Sequence, residues 1–318
     1  MQDRGRGAEW DALVLGGGGA GLGAALTLAR ARRRVLVVDG GEPRNASAAH
    51  SHGVLGFDGS PPSVLLERGR AEVARYDGVL RRGEARAVER MDDGFLVAFA
   101  DGGTTSARQL LVATGVRDEL PDVPGLAEQW GRGAVVCPYC DGWESRDARI
   151  ALLATDEGGV SRALLLRQWS TRVVLLTHDA FEPSRAHRRA LEARGVEVLP
   201  GRVEQVLSLG DRLTGVRVAG ERRTVDRVFV TPRAVPNDAL LRMLGAATTE
   251  RGAGVFVEVS RAGATSVPGL WAAGNVVDPS LKVATAVGDG TEAGAAMNEA
   301  LVALDTEAAL ADALARTG

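Results

Sequence analysis

The chain has 318 residues, 45% apolar and 25% charged, a globular balance that excludes disorder and fibrous architectures. With 38 basic and 41 acidic residues the net charge is −3, which points to neither nucleic acid nor an anionic membrane as partner. Lys282 is the single lysine, and the arginine bias reads as genomic base composition rather than function.

The length predicts two domains. Met1–Trp10 is polar and lacks a signal-peptide cleavage pattern, so a cytoplasmic protein is expected. Residues 12–29 carry no charge, but six of the eighteen are glycines, so the run reads as strand, turn and helix rather than a membrane span. Ala12–Leu15 is a strand, Gly16-Gly17-Gly18-Gly19-Ala20-Gly21 a turn, and Leu22, Leu26 and Ala29 one face of a helix. Arg32-Arg33-Arg34, read as a solvated turn, leads into Val35–Val38 and Asp39. This βαβ unit carries G-x-G-x-x-G as Gly16, Gly18 and Gly21. The first glycine permits the tight turn, the second lets backbone approach a pyrophosphate, and the third lets helix and strand pack. Asp39 would accept hydrogen bonds from a ribose. The alternative is a glycine-rich turn without a ligand.

A helical stretch follows over about 63–76, then two strands around Asp92-Asp93-Gly94, and a strand ending at Thr114-Gly115. Leu120-Pro121-Asp122-Val123-Pro124-Gly125 marks a boundary. A second strand–helix–strand unit begins at Arg149, with a helix near Ser161–Trp169. Short strands fill 196–231, Pro232 and Pro236 suggest a return crossing, and a glycine-punctuated helix is expected to begin near Gly288.

The two cysteines, Cys137 and Cys140, form a Cys-x-x-Cys just before the second unit. In a chain with βαβ patterns this spacing favours a redox dithiol, and a helix N-terminus would favour the reactive thiolate. The rivals are an inert pair, or a zinc site completed by His50 and His52, a donor set that is uncommon; no metal is expected. Asp141, beside the second sulfur, is either a proton shuttle raised by burial or a helix-start residue. His50 and His52 are the alternative bases.

Gly16–Gly21 with Asp39, Ala113-Thr114-Gly115, Cys137–Asp141, Pro236-Asn237 and Gly269–Asn275 together resemble the low-molecular-weight thioredoxin reductase family of flavoproteins. Cys137-Pro138-Tyr139-Cys140-Asp141-Gly142-Trp143-Glu144 is more similar to the branch of dithiol oxidases that close disulfides in gliotoxin and holomycin biosynthesis. That branch commonly has His where Asp141 stands. The resemblance implies an α/β fold of two Rossmann-like domains, the second inserted into the first. An FAD-binding domain would comprise 1–117 and 241–318, and an insert of 118–240 would carry the dithiol. It implies FAD contacts from Gly16, Gly18, Gly19, Ala20 and Gly21, from Asp39, Gly40, Asn45 and His52, from Thr114 and Gly115, and from Asn275, Lys282 and Val283. Asn275 stands where the family has Asp. A homodimer is implied as well.

At the second nucleotide loop the family's glycines give way to Ala154-Thr155-Asp156-Glu157-Gly158-Gly159, and its two 2′-phosphate arginines to Asp179 and Ala180. NADPH binding there is expected to be lost or very weak. The expected activity is therefore oxidation of a small-molecule dithiol through Cys137, Cys140 and Asp141, with O2 as electron acceptor. The alternatives are a reductase fed by ferredoxin or another unusual donor, and a flavin-bearing redox sensor.

Overall fold

The computed structural model describes residues 8–251 and 254–317; the polar stretch before Ala8 lies outside the described residues. The chain divides into two compact units, one of residues 1–44, 63–117 and 234–318, the other of 45–62 and 118–233.

The first unit opens with β1 (Trp10–Leu15), α1 (Gly19–Arg30) and β2 (Val35–Asp39). α2 (Pro62–Arg75), β3 (Val79–Arg82), β4 (Ala85–Met91), β5 (Gly94–Phe99) and β6 (Thr104–Val112) follow. β1 lies parallel between β2 and β6, and the sheet runs β3-β2-β1-β6-β5-β4. Successive residues of β1 alternate between two cores, Leu13 and Leu15 facing one, Ala12 and Val14 the other. Burial on both faces is why the strand reads as an unbroken apolar run.

In the second unit β8 (Ala134–Val135) precedes α3 (Pro138–Asp141), after the crossing strand β7 (Val116–Glu119). Then come β9 (Ile150–Leu153), α4 (Gly158–Leu166), β10 (Val173–Leu176), α5 (Arg185–Ala193) and β11 (Glu197–Leu199). β12 (Val203–Leu209), β13 (Arg212–Val218) and β14 (Glu221–Arg223) form an antiparallel sheet, and β15 (Arg227–Val230) returns to the parallel one. That sheet has the order β11-β10-β9-β15-β8. Its strand order reverses beside β9, and the carboxyl ends of strands at such a point are where α/β sheets hold ligands. β16 (Arg233–Pro236) pairs with β7 as the chain crosses back. α6 (Ala239–Met243), β17 (Thr248–Arg251), β18 (Gly254–Val257), β19 (Leu270–Ala272) and α7 (Val283–Thr317) complete the first unit, β19 lying parallel to β6.

Four expectations need correction. Residues 45–62, read as part of the first domain, group with the insert, because Ser47 lies against Gly131 and His52 against Glu144. The second crossing also returns at 234 rather than 241. The last helix begins at Val283, not near Gly288: its glycines are interior, and Gly290 and Gly294 serve packing. A Cβ on Gly290 would lie 1.9 Å from the Ala20 carbonyl oxygen, so α1 and α7 touch backbone to backbone. Arg33 is no solvated turn residue. It donates to Asn298 Oδ1 (2.8 Å) and Asp305 Oδ2 (2.6 Å), tying α7 down.

Two substitutions separate these roles. Gly290→Ala pushes a methyl into fixed backbone and should cost about 1–3 kcal/mol. Gly288 faces open space, so Gly288→Ala should gain about 0.5–1 kcal/mol from helix propensity. Urea midpoints of the two variants check this; a Gly290→Ala protein as stable as the parent contradicts the helix crossing.

Candidate active site

In the first unit the turn after β1 is built by exclusion. Gly16 has φ +109°, and a Cβ there would lie 2.3 Å from the Ala113 carbonyl oxygen. A Cβ on Gly21 would lie 1.8 Å from the Gly16 oxygen, so the third glycine is what lets α1 start against β1. Gly18 caps α1 with no side-chain acceptor and faces open space. The first-turn N–H groups are thus left for an anion, with the positive helix end behind them. Gly19 lies against Val287 and the Val283 carbonyl, which brings the start of α7, with Lys282 and Val283, beside the start of α1.

Asp39 ends β2 next to Gly40. Its Oδ1 accepts from Gly41 N–H at 3.1 Å and its Oδ2 from Arg70 Nη2 at 3.1 Å. Asn275 spends its amide N–H groups on the carbonyls of Asp278 (2.9 Å) and Leu281 (3.0 Å), leaving Oδ1 as an acceptor, the role a carboxylate would have there. Thr114 Oγ1 donates to the Asn237 carbonyl, Asn237 Nδ2 donates back to the Thr114 carbonyl, and Asn237 N–H donates to the Gly115 carbonyl. That turn therefore also fastens the returning chain, a use its sequence does not announce. Open first-turn amides, an acidic strand end and an acceptor before a second helix N-terminus form the donor set a dinucleotide needs. Asn45 and His52 are placed in the other unit.

The dithiol lies in the second unit. Cys137 precedes α3 with extended backbone, Pro138 takes the first helical position, and Cys140 and Asp141 N–H both donate to the Cys137 carbonyl at 3.1 Å. Neither cysteine is in a disulfide, and both are partly buried. The Cys140 thiol donates to the Cys137 sulfur, and that bond, helped by the N–H groups of Cys140 and Tyr139, lowers the Cys137 thiol to about 6 against the opposing effects of burial and the Asp141 charge. Burial pushes Asp141 up to about 6, with Glu144 adding to the rise and Arg227 and His52 opposing it. A thiolate and a proton acceptor thus titrate side by side just below neutrality, the range suited to proton transfer. Tyr139 meets Trp169 edge-on at 5.7 Å, and Trp143 stacks on the Arg146 guanidinium at 4.6 Å; Tyr139 and Trp143 are both exposed.

His50 Nδ1 lies 3.0 Å from the Gly59 carbonyl, while His52 lies between Asp58 and Glu144. Among the described residues no group of three or more His, Cys, Asp or Glu is placed to hold a metal ion. No described helix is long and apolar enough to cross a membrane. Glu144 and Arg227 went unmarked in the sequence. Glu144 falls in the Cys-x-x-Cys stretch, but nothing local points Arg227, on β15, at Asp141.

At the second loop Ala154 is fully buried, and a Cβ on Gly159 would lie 2.2 Å from its methyl. Gly159 keeps only the helix–strand packing role. Asp156 Oδ1 accepts from Gly158 N–H at 2.8 Å, so a protein carboxylate sits at the first turn of α4. Glu157 Oε1 lies 3.0 Å from His187 Nδ1 on α5. His178 and Asp179 have φ of +53° and +57°, and His178 Nδ1 accepts from Val203 N–H.

A nucleotide-binding unit joined to a dithiol-bearing insert defines a flavin-linked disulfide oxidoreductase. Residues 10–290 match the pyridine nucleotide-disulphide oxidoreductase family, and the chain belongs to it. It is 31% identical to thioredoxin reductase sirT of Leptosphaeria maculans over 91% of this chain and 93% of that one. Among solved structures it is similar to HlmI, at 46% identity and TM-score 0.92 over 99% of this chain and all of that one. An oxidoreductase from Agrobacterium tumefaciens follows at 34% and 0.87, over 92% and 98%. The protein is a redox enzyme with the thioredoxin reductase-like α/β fold, and FAD is the cofactor of its family. The first-unit cradle fits that group.

The dithiol geometry yields a direct test. In the reduced protein the rate of Cys137 alkylation by iodoacetamide should rise with a midpoint near pH 6. Cys140→Ala removes the donor and should move that midpoint up by at least about one unit. A midpoint above 8 in the parent would contradict the Cys140–Cys137 hydrogen bond.

Proposed function

We propose that the protein oxidises a small-molecule dithiol to its disulfide, with dioxygen as terminal acceptor and hydrogen peroxide as second product. The observation that carries this is a hydrogen-bonded Cys137–Cys140 dithiol in a unit where Asp156 takes the Gly158 N–H at the phosphate-loop position.

In the oxidised enzyme Cys137 and Cys140 form a disulfide. A substrate thiolate attacks the Cys137 sulfur, the enzyme S–S bond breaks, and Cys140 leaves with the electron pair. The second substrate thiol, once deprotonated, attacks the substrate sulfur of the mixed disulfide. The product S–S bond forms and Cys137 leaves as thiolate. A low pKa suits Cys137 to that departure, since leaving ability rises as thiol pKa falls.

The substrate brings two thiol protons. Cys140 retains one and Cys137 stays a thiolate near neutrality, so the other proton goes to Asp141, whose raised pKa lets it accept and release. Bound FAD would supply the two-electron acceptor that restores the enzyme disulfide and passes the pair to oxygen. The aromatic surfaces of Tyr139 and Trp143 beside the dithiol suit an apolar substrate. By family resemblance the working form is a cytoplasmic homodimer.

Nicotinamide nucleotides should be poor donors. Asp156 competes for the α4 amides and repels a pyrophosphate, and Asp179 and Ala180 offer no cation to a 2′-phosphate. Two lost charge-assisted contacts, each about 1.5–3 kcal/mol, lower affinity by about 10²–10⁴-fold. Anaerobic stopped-flow reduction of the holoenzyme tests the reading. Dithiothreitol should bleach the flavin rapidly, and micromolar NADPH or NADH only slowly. Fast, saturable reduction by micromolar NADPH would restore a conventional reductase. Reduction by ferredoxin alone would favour the ferredoxin-fed alternative, and slow reduction by every donor a sensor.

A further inference from the structure

The arginines of the second unit differ in how their guanidinium edges are used. Arg149 turns its Nε–Nη2 edge to Asp226, whose two carboxylate oxygens accept at 2.9 and 2.6 Å. Arg132, Arg188 and Arg223 also meet acidic side chains. Arg162, on α4, is partly buried, and its Nη1 donates to the Val230 carbonyl and the Thr231 hydroxyl, both at 3.4 Å. Among the described residues its Nε and Nη2 have no hydrogen-bond partner and no carboxylate pairs with it. Those two nitrogens form the edge that takes both oxygens of a carboxylate, as Arg149 shows. Burial works against the Arg162 charge, with Asp156 and Cys137 favouring it, and Asp156 already accepts the Gly158 N–H. A charge withdrawn from water is ordinarily paired, and this one keeps its best edge open.

The sheet fixes where that edge lies. α4 follows β9, yet Arg162 reaches the carboxyl end of β15, so it spans the point where the strand order reverses. On its other side β15 lies parallel to β8, with Val228 opposite Ala134 and Phe229 opposite Val135. Continued over two residues, that register sets Thr231 level with Cys137, whose backbone is still extended. Neighbouring strands are about 5 Å apart. α3 packs against α4, and Tyr139 meets Trp169 just beyond it. The hydroxyl that anchors Arg162 therefore belongs to the strand beside the one that delivers Cys137.

We propose that the Nε–Nη2 edge of Arg162 is a carboxylate subsite, and that the dithiol oxidised by this protein carries a carboxylate on an apolar chain. Seated there, the substrate presents its thiols at the end of the sheet from which Cys137 emerges. The inference rests on the proposed dithiol oxidation and adds the charge of the substrate to it. In the oxidised enzyme the Cys137–Cys140 disulfide is uncharged, so the substrate carboxylate meets the cation without a rival thiolate. Once Cys137 leaves as thiolate, two anions compete for one guanidinium, which favours release of the product. The bonds made and broken are those of the exchange described above, and no others change.

The test uses two dithiols that differ in this group alone, dihydrolipoate and its neutral amide, dihydrolipoamide. Oxidised holoenzyme is mixed anaerobically with each at subsaturating concentration and quenched with iodoacetamide. Reduction is counted as alkylated Cys137 and Cys140 plus bleached flavin, so the exchange is read whether or not electrons travel on to flavin. Bleaching by itself reports the proposed function, and its failure is therefore distinct from failure here. The parent should react about tenfold faster with dihydrolipoate than with the amide. Arg162→Gln should bring that ratio close to one. Arg162→Lys, which keeps the charge and loses the fork, should leave it in between. A parent ratio near one, or a preference that survives Arg162→Gln, overturns the subsite. If Arg162→Gln does not fold, Arg162→Lys decides: a ratio lowered several-fold supports the proposal, and an unchanged one overturns it.

Discussion

A phosphate-binding loop works because the N–H groups of its first helical turn have no protein partner. This chain carries two loops of that origin and treats the constraint in opposite ways. Before α1 the glycines keep side chains away and leave the amides open. Before α4 a carboxylate comes from the chain itself: Asp156 accepts the Gly158 N–H, and Glu157 is drawn to His187. A nucleotide would have to displace the first contact and meet two like charges. The direction we propose for the electrons follows from which loop is open.

The second unit has the parallel-sheet scaffold of a nucleotide domain, and in the proposed reaction its chemistry lies at α3. The parallel sheet and its two apolar cores hold β8 and β9 rigidly, and the short helix between them presents both sulfurs from one turn. That spacing lets Cys140 donate to Cys137, and the bond makes the first sulfur a good leaving group. The same burial that raises Asp141 keeps it from ionising too early. Thiolate and carboxyl repel each other when both are charged, so protons are exchanged between them most easily near the pH where each is half-titrated. In the proposed reaction one short helix and its cap supply both the electron carrier and the proton carrier.

The parts of the site that rest on local rules were legible from the amino acids. Gly16 and Gly21 are dictated by close approach, Gly18 leaves the first turn open, and Cys137, Cys140 and Asp141 lie within one turn of each other. The departure of the second loop from the glycine pattern, at Ala154, Asp156 and Asp179, is a local feature of the same kind. What was not legible depends on chain segments meeting across the fold. Nothing near His52 says that its loop packs on the insert, nothing near Arg227 says that it faces Asp141, and nothing near Asn237 says that it locks the Thr114 turn. The glycines of α7 misled for a physical reason. Glycine weakens an isolated helix, and only the presence of α1 at Gly290 explains why it is kept inside one.

In the proposed reaction electrons enter from a small dithiol and leave to oxygen without a nicotinamide nucleotide. Steady-state stoichiometry in an oxygen electrode, with dithiothreitol as the only reductant and catalase withheld, measures this directly. The account predicts one oxygen consumed and one hydrogen peroxide formed for each disulfide produced, with no change in rate when NADPH is added. Oxygen uptake that requires NADPH, or disulfide formation without peroxide, would contradict it.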